Sequence, residues 1–184
     1  MSSFRGFIAA DIEVTENIIK FLNEMKNSKF DIKVVEPQNI HITLKFLGDV
    51  QQGKINQIEQ VIKESVEGIE SFKINLKNTG VFPNKNYIKV VWIGIEDAEN
   101  LAIIANNIDD KLSQMGFKKE KREFSAHLTI ARVKTARNKD ILLERINEYD
   151  NFNFGIQEIK SIKLKMSELT PKGPIYTTLK EVKL

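Results

Sequence analysis

Residues 39–50 read NIHITLKFLGDV, and the way this stretch alternates decides the fold. Taken with a period of two, Ile40, Ile42, Leu44 and Phe46 share one face while His41, Thr43 and Lys45 share the other. The apolar face is that of a strand packed on helices. The other face carries an imidazole, a hydroxyl and an amine, which are costly in a sheet unless water, a partner or a ligand satisfies them. The pattern recurs in HLTIARV, residues 127–133, where His127 and Thr129 share one face and Leu128 and Ile130 the other. These are the only two histidines in 184 residues, and each is followed two positions later by one of only 8 threonines. Composition alone would produce that at both sites roughly 1 time in 500.

Outward from each histidine the same order is expected: strand, helix, His-bearing strand, helix, strand. FRGFIAAD (4–11) reads as a strand, and Thr15 caps a helix with Ile18, Phe21, Leu22 and Met25 at helical spacing. DIKVV (31–35) adds a short strand. Ile55, Ile58, Ile62 and Val66 stripe a helix that ends near residue 67. SFKINLKNTG (71–80) is a strand with one wet face, FPNKN (82–86) a turn, and YIKVVWIGIED (87–97) a more buried strand. A helix from Ala98 to the stop at Gly116, a basic loop KKEKREFSA (118–126), the second His strand and a helix around Ile141–Tyr149 follow. Strands near 158–166 and 175–183, joined by TPKGP (170–174), close the chain. This describes an internally duplicated α+β protein. Its two pseudo-symmetric lobes each pair an antiparallel sheet with helices on the outer face, and the free sheet faces meet across a cleft within a single bilobal domain, 1–184.

Composition narrows the chemistry. With no cysteine, thiolate catalysis, disulfides and Cys-based zinc sites are excluded. The longest apolar run, VVWIGI (90–95), is far short of the roughly 20 residues of a membrane span, and no signal-peptide layout opens the chain, so a cytoplasmic protein is expected. A net charge of +3 and a pI near 8.9 suit a phosphate-bearing partner without requiring one. Nothing demands an oligomer, and a monomer is expected. Two imidazoles on facing strands can hold opposite protonation states near neutral pH, one taking a proton and one giving it. Threonine hydroxyls about 7 Å along each strand suit the nonbridging oxygens of a phosphoester. Two histidines without clustered carboxylates make a poor metal site, so none is expected.

HITL and HLTI resemble the paired H-x-T-x motifs of the two-histidine (2H) phosphoesterase superfamily, and within it the RNA 2′,3′-cyclic phosphodiesterases formerly described as 2′-5′ RNA ligases. The resemblance extends through RGFIAAD, NIHITLKFLGDV, FSAHLTIARVK and SELTPKGPIYTTL, nearly the whole chain. Family members often carry Pro directly before the second histidine, where this chain has Ala126. The resemblance implies hydrolysis of a terminal 2′,3′-cyclic phosphate of RNA to a 2′-phosphate. His41 would give a proton to O3′, His127 would activate water, and Thr43 and Thr129 would hold phosphate oxygens. It implies no cofactor, and no nucleotide-binding Gly loop is present. If a 5′-hydroxyl replaces water, the same geometry yields a 2′-5′ linkage without ATP. Arg132 also matches a family position as a phosphate ligand, but a regular strand would turn it away from His127, so contact requires a bulge. Lys45 is expected on the His41 face, as a source of positive potential or as a guard of the sheet edge, while Phe46 and Trp92 could stack a base but read better as core. Lys118, Lys119, Lys121 and Arg122 read as a solvated loop, with a track for an RNA backbone as the alternative. Two alternatives remain: the same site acting on 2′-5′ oligonucleotides or small cyclic nucleotides, and an RNA-end-binding protein without turnover.

Overall fold

A computed structural model describes residues 2–184. The strands are β1 (Ser3–Asp11), β2 (Ile32–Val34), β3 (His41–Gln51), β4 (Phe72–Asn84), β5 (Tyr87–Glu96), β6 (His127–Val133), β7 (Asn153–Ile159), β8 (Ser161–Thr170) and β9 (Gly173–Lys183). The helices are α1 (Glu16–Lys26), α2 (Ile55–Ser65), α3 (Glu99–Gln114) and α4 (Lys139–Asn147). Thr15 caps α1, its hydroxyl accepting from the Ile18 N–H.

The strands form one antiparallel sheet in the order β7-β4-β5-β6-β3-β1-β8-β9, with β2 added beside β6. It divides into two four-stranded halves whose innermost members are the two His-bearing strands. These halves are joined by one register pair, Ile42 with Leu128, so the two expected sheets meet edge to edge at the cleft rather than standing apart. The third strand of each half comes from the opposite stretch of sequence. β4 follows the first His strand yet pairs with β5, and β8 follows the second yet pairs with β1. Helices α2 and α3 pack together over β3, β8 and β9, while α1 and α4 lie against β7 and β4. Ile42, Leu128, Ile8, Ile93 and Leu164 are fully buried on that side. Among the described residues no helix is long and apolar enough to cross a membrane.

Both His strands carry a bulge at the same offset. In β3 the partners run Ala9–Thr43 and then Ile8–Lys45, leaving Leu44 unmatched; in β6 they run Trp92–Thr129 and then Val91–Ala131, leaving Ile130 unmatched. An unmatched residue reverses the alternation beyond it. Lys45 and Ala131 therefore turn inward at 2% and 0% exposure, and Phe46 and Arg132 return to the face of the histidines.

Three local expectations need correction. FPNKN is not all turn: β4 runs on to Asn84, and Asn84 Oδ1 accepts from the N–H groups of Asn86 and Tyr87, closing the hairpin over Lys85 and Asn86. β7 is a separate strand whose period is masked, because Ile156 is exposed while the Gln157 amide is buried, accepting from the Glu13 N–H at 2.8 Å. Ile141 faces solvent, and Leu142 and Ile146 anchor α4.

Candidate active site

The Ile42–Leu128 pair sets the geometry of the cleft. Both side chains point into the helix-covered core, so the residues flanking them project from the opposite face. Those residues are His41 and Thr43 on β3, and His127 and Thr129 on β6. Four of the five side chains singled out from sequence are thus gathered on one face, within about one strand spacing of the sheet's centre.

Each imidazole is held by the carbonyl two residues before it. His41 Nδ1 donates to Asn39 O at 2.7 Å, and His127 Nδ1 donates to Ser125 O at 2.7 Å. A carbonyl only accepts, so Nδ1 carries the hydrogen in both rings and Nε2 is left to exchange protons. In the neutral form of His41 the Thr43 hydroxyl donates to Nε2 at 2.9 Å. Burial holds both imidazoles below the usual histidine value, opposed in each by the backbone carbonyl. Lys165 and Arg132 lower His41 further, while Asp11 opposes them.

The surroundings of the two rings differ. His41 joins a three-ring cluster, meeting Phe7 at a centroid distance of 4.9 Å and Tyr176 edge-on at 5.3 Å, while Phe7 and Tyr176 meet each other at 4.9 Å. Burial raises the Tyr176 hydroxyl pKa, and the Arg132 and Arg5 charges oppose that rise. Asp11, the register partner of His41, binds Lys163 at 2.8 Å and also Lys165. Burial alone would raise this carboxylate, but the two lysines outweigh it and hold it low. His127 meets Phe82 edge-on at 5.0 Å, with Trp92 behind Phe82 at 5.3 Å. Trp92 is therefore part of the cleft floor and not of the helix-side core. Its indole lies across Gly80, where a Cβ would stand 2.1 Å from Trp92 Cζ2.

The paired bulges decide the remaining assignments. Arg132 does reach the histidine face, on the His41 side. Phe46, expected in the core, is 65% exposed on the cleft face at the position of the first strand that corresponds to Arg132. Lys45 is withdrawn from the cleft altogether: its ammonium donates to Asp109 and to Lys118 O at 2.9 Å, pinning the loop that leads into β6. Sequence reasoning passed over Tyr176, Phe7, Phe82 and Asp11. RGFIAAD and GPIYTTL contain Phe7, Asp11 and Tyr176, but only the strand register shows that they border His41. Among the described residues no group of three His, Cys, Asp or Glu side chains could hold a metal ion.

Known proteins are similar to this chain. The pattern of the "LigT like Phosphoesterase" family matches twice, over residues 8–92 and 93–176. A protein of Methanocaldococcus jannaschii named RNA 2′,3′-cyclic phosphodiesterase is 48% identical over 179 residues, 96% of this chain and 99% of its own. One of Methanothermobacter thermautotrophicus with the same name is 41% identical over 182 residues, 98% of each chain. Among solved structures, TT0787 of Thermus thermophilus matches with a TM-score of 0.79 and 25% identity, covering 98% of this chain and 97% of that one. E. coli LigT complexed with 3′-AMP shares the fold at a TM-score of 0.80 and 22% identity, covering 100% and 99%. The duplicated H-x-T-x strands and these matches lead to one conclusion: the chain belongs to the LigT-like phosphoesterase family.

Proposed function

We propose that the protein hydrolyses the terminal 2′,3′-cyclic phosphate of RNA to a 2′-phosphate. The observation that carries this is the pair of imidazoles, each with Nδ1 fixed by a backbone carbonyl and Nε2 left to exchange protons on a shared face. Relatives that match almost end to end bear the name of this activity.

In this reading a water on the His127 side loses a proton to Nε2 of the neutral ring as its oxygen bonds to phosphorus. The P–O3′ bond breaks on the other side, and protonated His41 delivers its Nε2 hydrogen to the departing O3′. The 2′ ester bond survives. Thr43 and Thr129 hydroxyls donate to the nonbridging oxygens, and the Arg132 guanidinium offsets the charge that builds on them. Burial makes neutral His127 ready as a base, whereas His41 must gain its proton against burial and two cations, which the anionic phosphate favours. A 5′-hydroxyl in place of the water would give a 2′-5′ linkage by the same steps. The acting unit is taken to be the whole chain, one bilobal domain built by duplication, working as a cytoplasmic monomer.

The test is incubation with a short RNA ending in a 2′,3′-cyclic phosphate, with EDTA present, followed by identification of the product. A 2′-phosphate is expected. A 3′-phosphate would overturn the direction of opening, and activity lost in EDTA and restored by a divalent ion would overturn the metal-free steps.

A further inference from the structure

Beside the catalytic cleft lies a groove of about 520 Å³ that the proposed chemistry does not use. Lys26, Lys33, Lys134 and Lys172 wall it, and Phe30 and Ile32 contribute an apolar floor. Its single carboxylate, Glu36, stands 3.9 Å from Lys26 Nζ. Among the described residues no carboxylate lies within ion-pair distance of Lys33, Lys134 or Lys172.

The groove borders the site through Lys33. Lys33 on β2 is the register partner of Arg132 on β6, so their side chains share a face one strand spacing, about 4.8 Å, apart. Like charges directly opposite on paired strands destabilise a sheet, and a bound anion removes that cost. Lys33 Nζ also lies at the start of β9, 3.8 Å from where a Cβ on Gly173 would stand. Next to Gly173, Pro174 O accepts from Asn39 Nδ2 at 3.0 Å, and Asn39 O is the group that holds His41. Two residues further on, Tyr176 meets the His41 ring.

We propose that this groove receives the phosphodiester backbone of the RNA upstream of its cyclic end. The inference rests on the proposed function, because proton delivery to O3′ by His41 places the terminal ribose, and the chain attached to it, on the His41 side. That is the side where Arg132, Lys33 and the groove lie. Unpaired lysines suit successive phosphates, and an apolar floor beside them suits an unstacked base. The protein then separates a polynucleotide end from a free cyclic nucleotide by the groove, while the histidines treat the two alike.

The test measures kcat/KM on a nucleoside 2′,3′-cyclic phosphate and on oligonucleotides of two to five residues with the same end, for wild type and for Lys134→Gln/Lys172→Gln, two groove lysines that are not opposite Arg132. Wild type is expected to gain with length. The double variant should lose about tenfold of that gain, and its log–log salt slope should flatten by about 1.4, at about 0.7 for each single-strand phosphate contact. Its activity on the mononucleotide should not change. Wild-type rates independent of length, or a variant that keeps the full gain and slope, would overturn the groove. Failure to turn over any cyclic phosphate would instead overturn the proposed function. Equilibrium binding of oligonucleotides ending in a 2′-phosphate then decides the groove by itself, through the same loss in the variant. Competition by polyglutamate as strong as that by RNA of equal charge would also contradict it, pointing to an acidic protein partner.

Discussion

The two His-bearing strands fold alike and differ where chemistry asks for a difference. Both fix Nδ1 through the carbonyl two residues back, both place Thr two residues on, and both bulge at the third residue after His. Past the bulge they part. The inward position is Lys45 in one and Ala131 in the other, and the position returned to the cleft is Phe46 in one and Arg132 in the other. Around the rings, His41 has Asp11, Lys165, Arg132 and Tyr176, while the uncharged Phe82 ring packs against His127. Duplication supplies two imidazoles held alike, one ringed by charged groups and the other packed on an aromatic ring, and the proposed acid role of His41 relies on the substrate phosphate to favour its proton.

Removing the proton carriers should have the largest effect. His41→Ala and His127→Ala are each expected to lower kcat by about 10²–10⁴-fold on an RNA cyclic phosphate, read by product formation over time. A variant within tenfold of wild type would remove that residue from the mechanism.

Lys45 breaks the symmetry in stability. Lys45→Ala leaves Asp109 facing a nearly closed site without its cation, and urea unfolding should report a loss of about 3 kcal/mol. The loop that leads into β6 should exchange its amide hydrogens faster in this variant, because Lys45 no longer holds Lys118 O. An unchanged urea midpoint would show that the buried pair contributes nothing.

A smaller contrast concerns the two side chains past the bulges. Arg132→Lys keeps the charge but loses the planar fork, and about a tenfold fall in kcat/KM is expected. Phe46→Ala should raise KM about tenfold with little change in kcat, because an exposed ring on the cleft face can stack a base but not move a proton. A change in kcat alone would contradict that division.

The smallest expected effect is on pH dependence. In the free protein both imidazoles titrate below the usual histidine value, so both limbs of a bell-shaped kcat/KM profile should be displaced to the acid side. The acid limb reports protonation of His127, and the alkaline limb the loss of the His41 proton. Lys165→Met removes a cation that disfavours protonated His41, so the alkaline limb should move up while the acid limb stays. Movement of the acid limb instead would assign the roles the other way round.

The repeated strands, their helices and the cleft were legible because a period of two with polar residues on one face has few explanations in a sheet, and His41, Thr43, His127 and Thr129 follow from that period alone. The bulges were not legible: Leu44 and Ile130 look like any apolar residue, and only the register with β1 and β5 shows that they are unmatched. For that reason Lys45 and Phe46 exchanged their expected faces, and Arg132 arrived where a regular strand could not bring it. The supports at Asn39 and Ser125 were hidden for another reason, since any residue type offers a backbone carbonyl.

In the proposed reaction two strands of one design hold an acid and a base, and changing the leaving atom separates their roles. Rates would be measured for wild type, His41→Ala and His127→Ala on an RNA cyclic phosphate and on its analogue with sulfur at the bridging 3′ position. A thiolate leaves without needing a proton, its conjugate acid having a pKa of about 8.5. The defect of His41→Ala should then nearly vanish on the sulfur substrate, while His127→Ala remains as impaired as before. Rescue of His127→Ala instead, or equal defects on both substrates, would contradict the account.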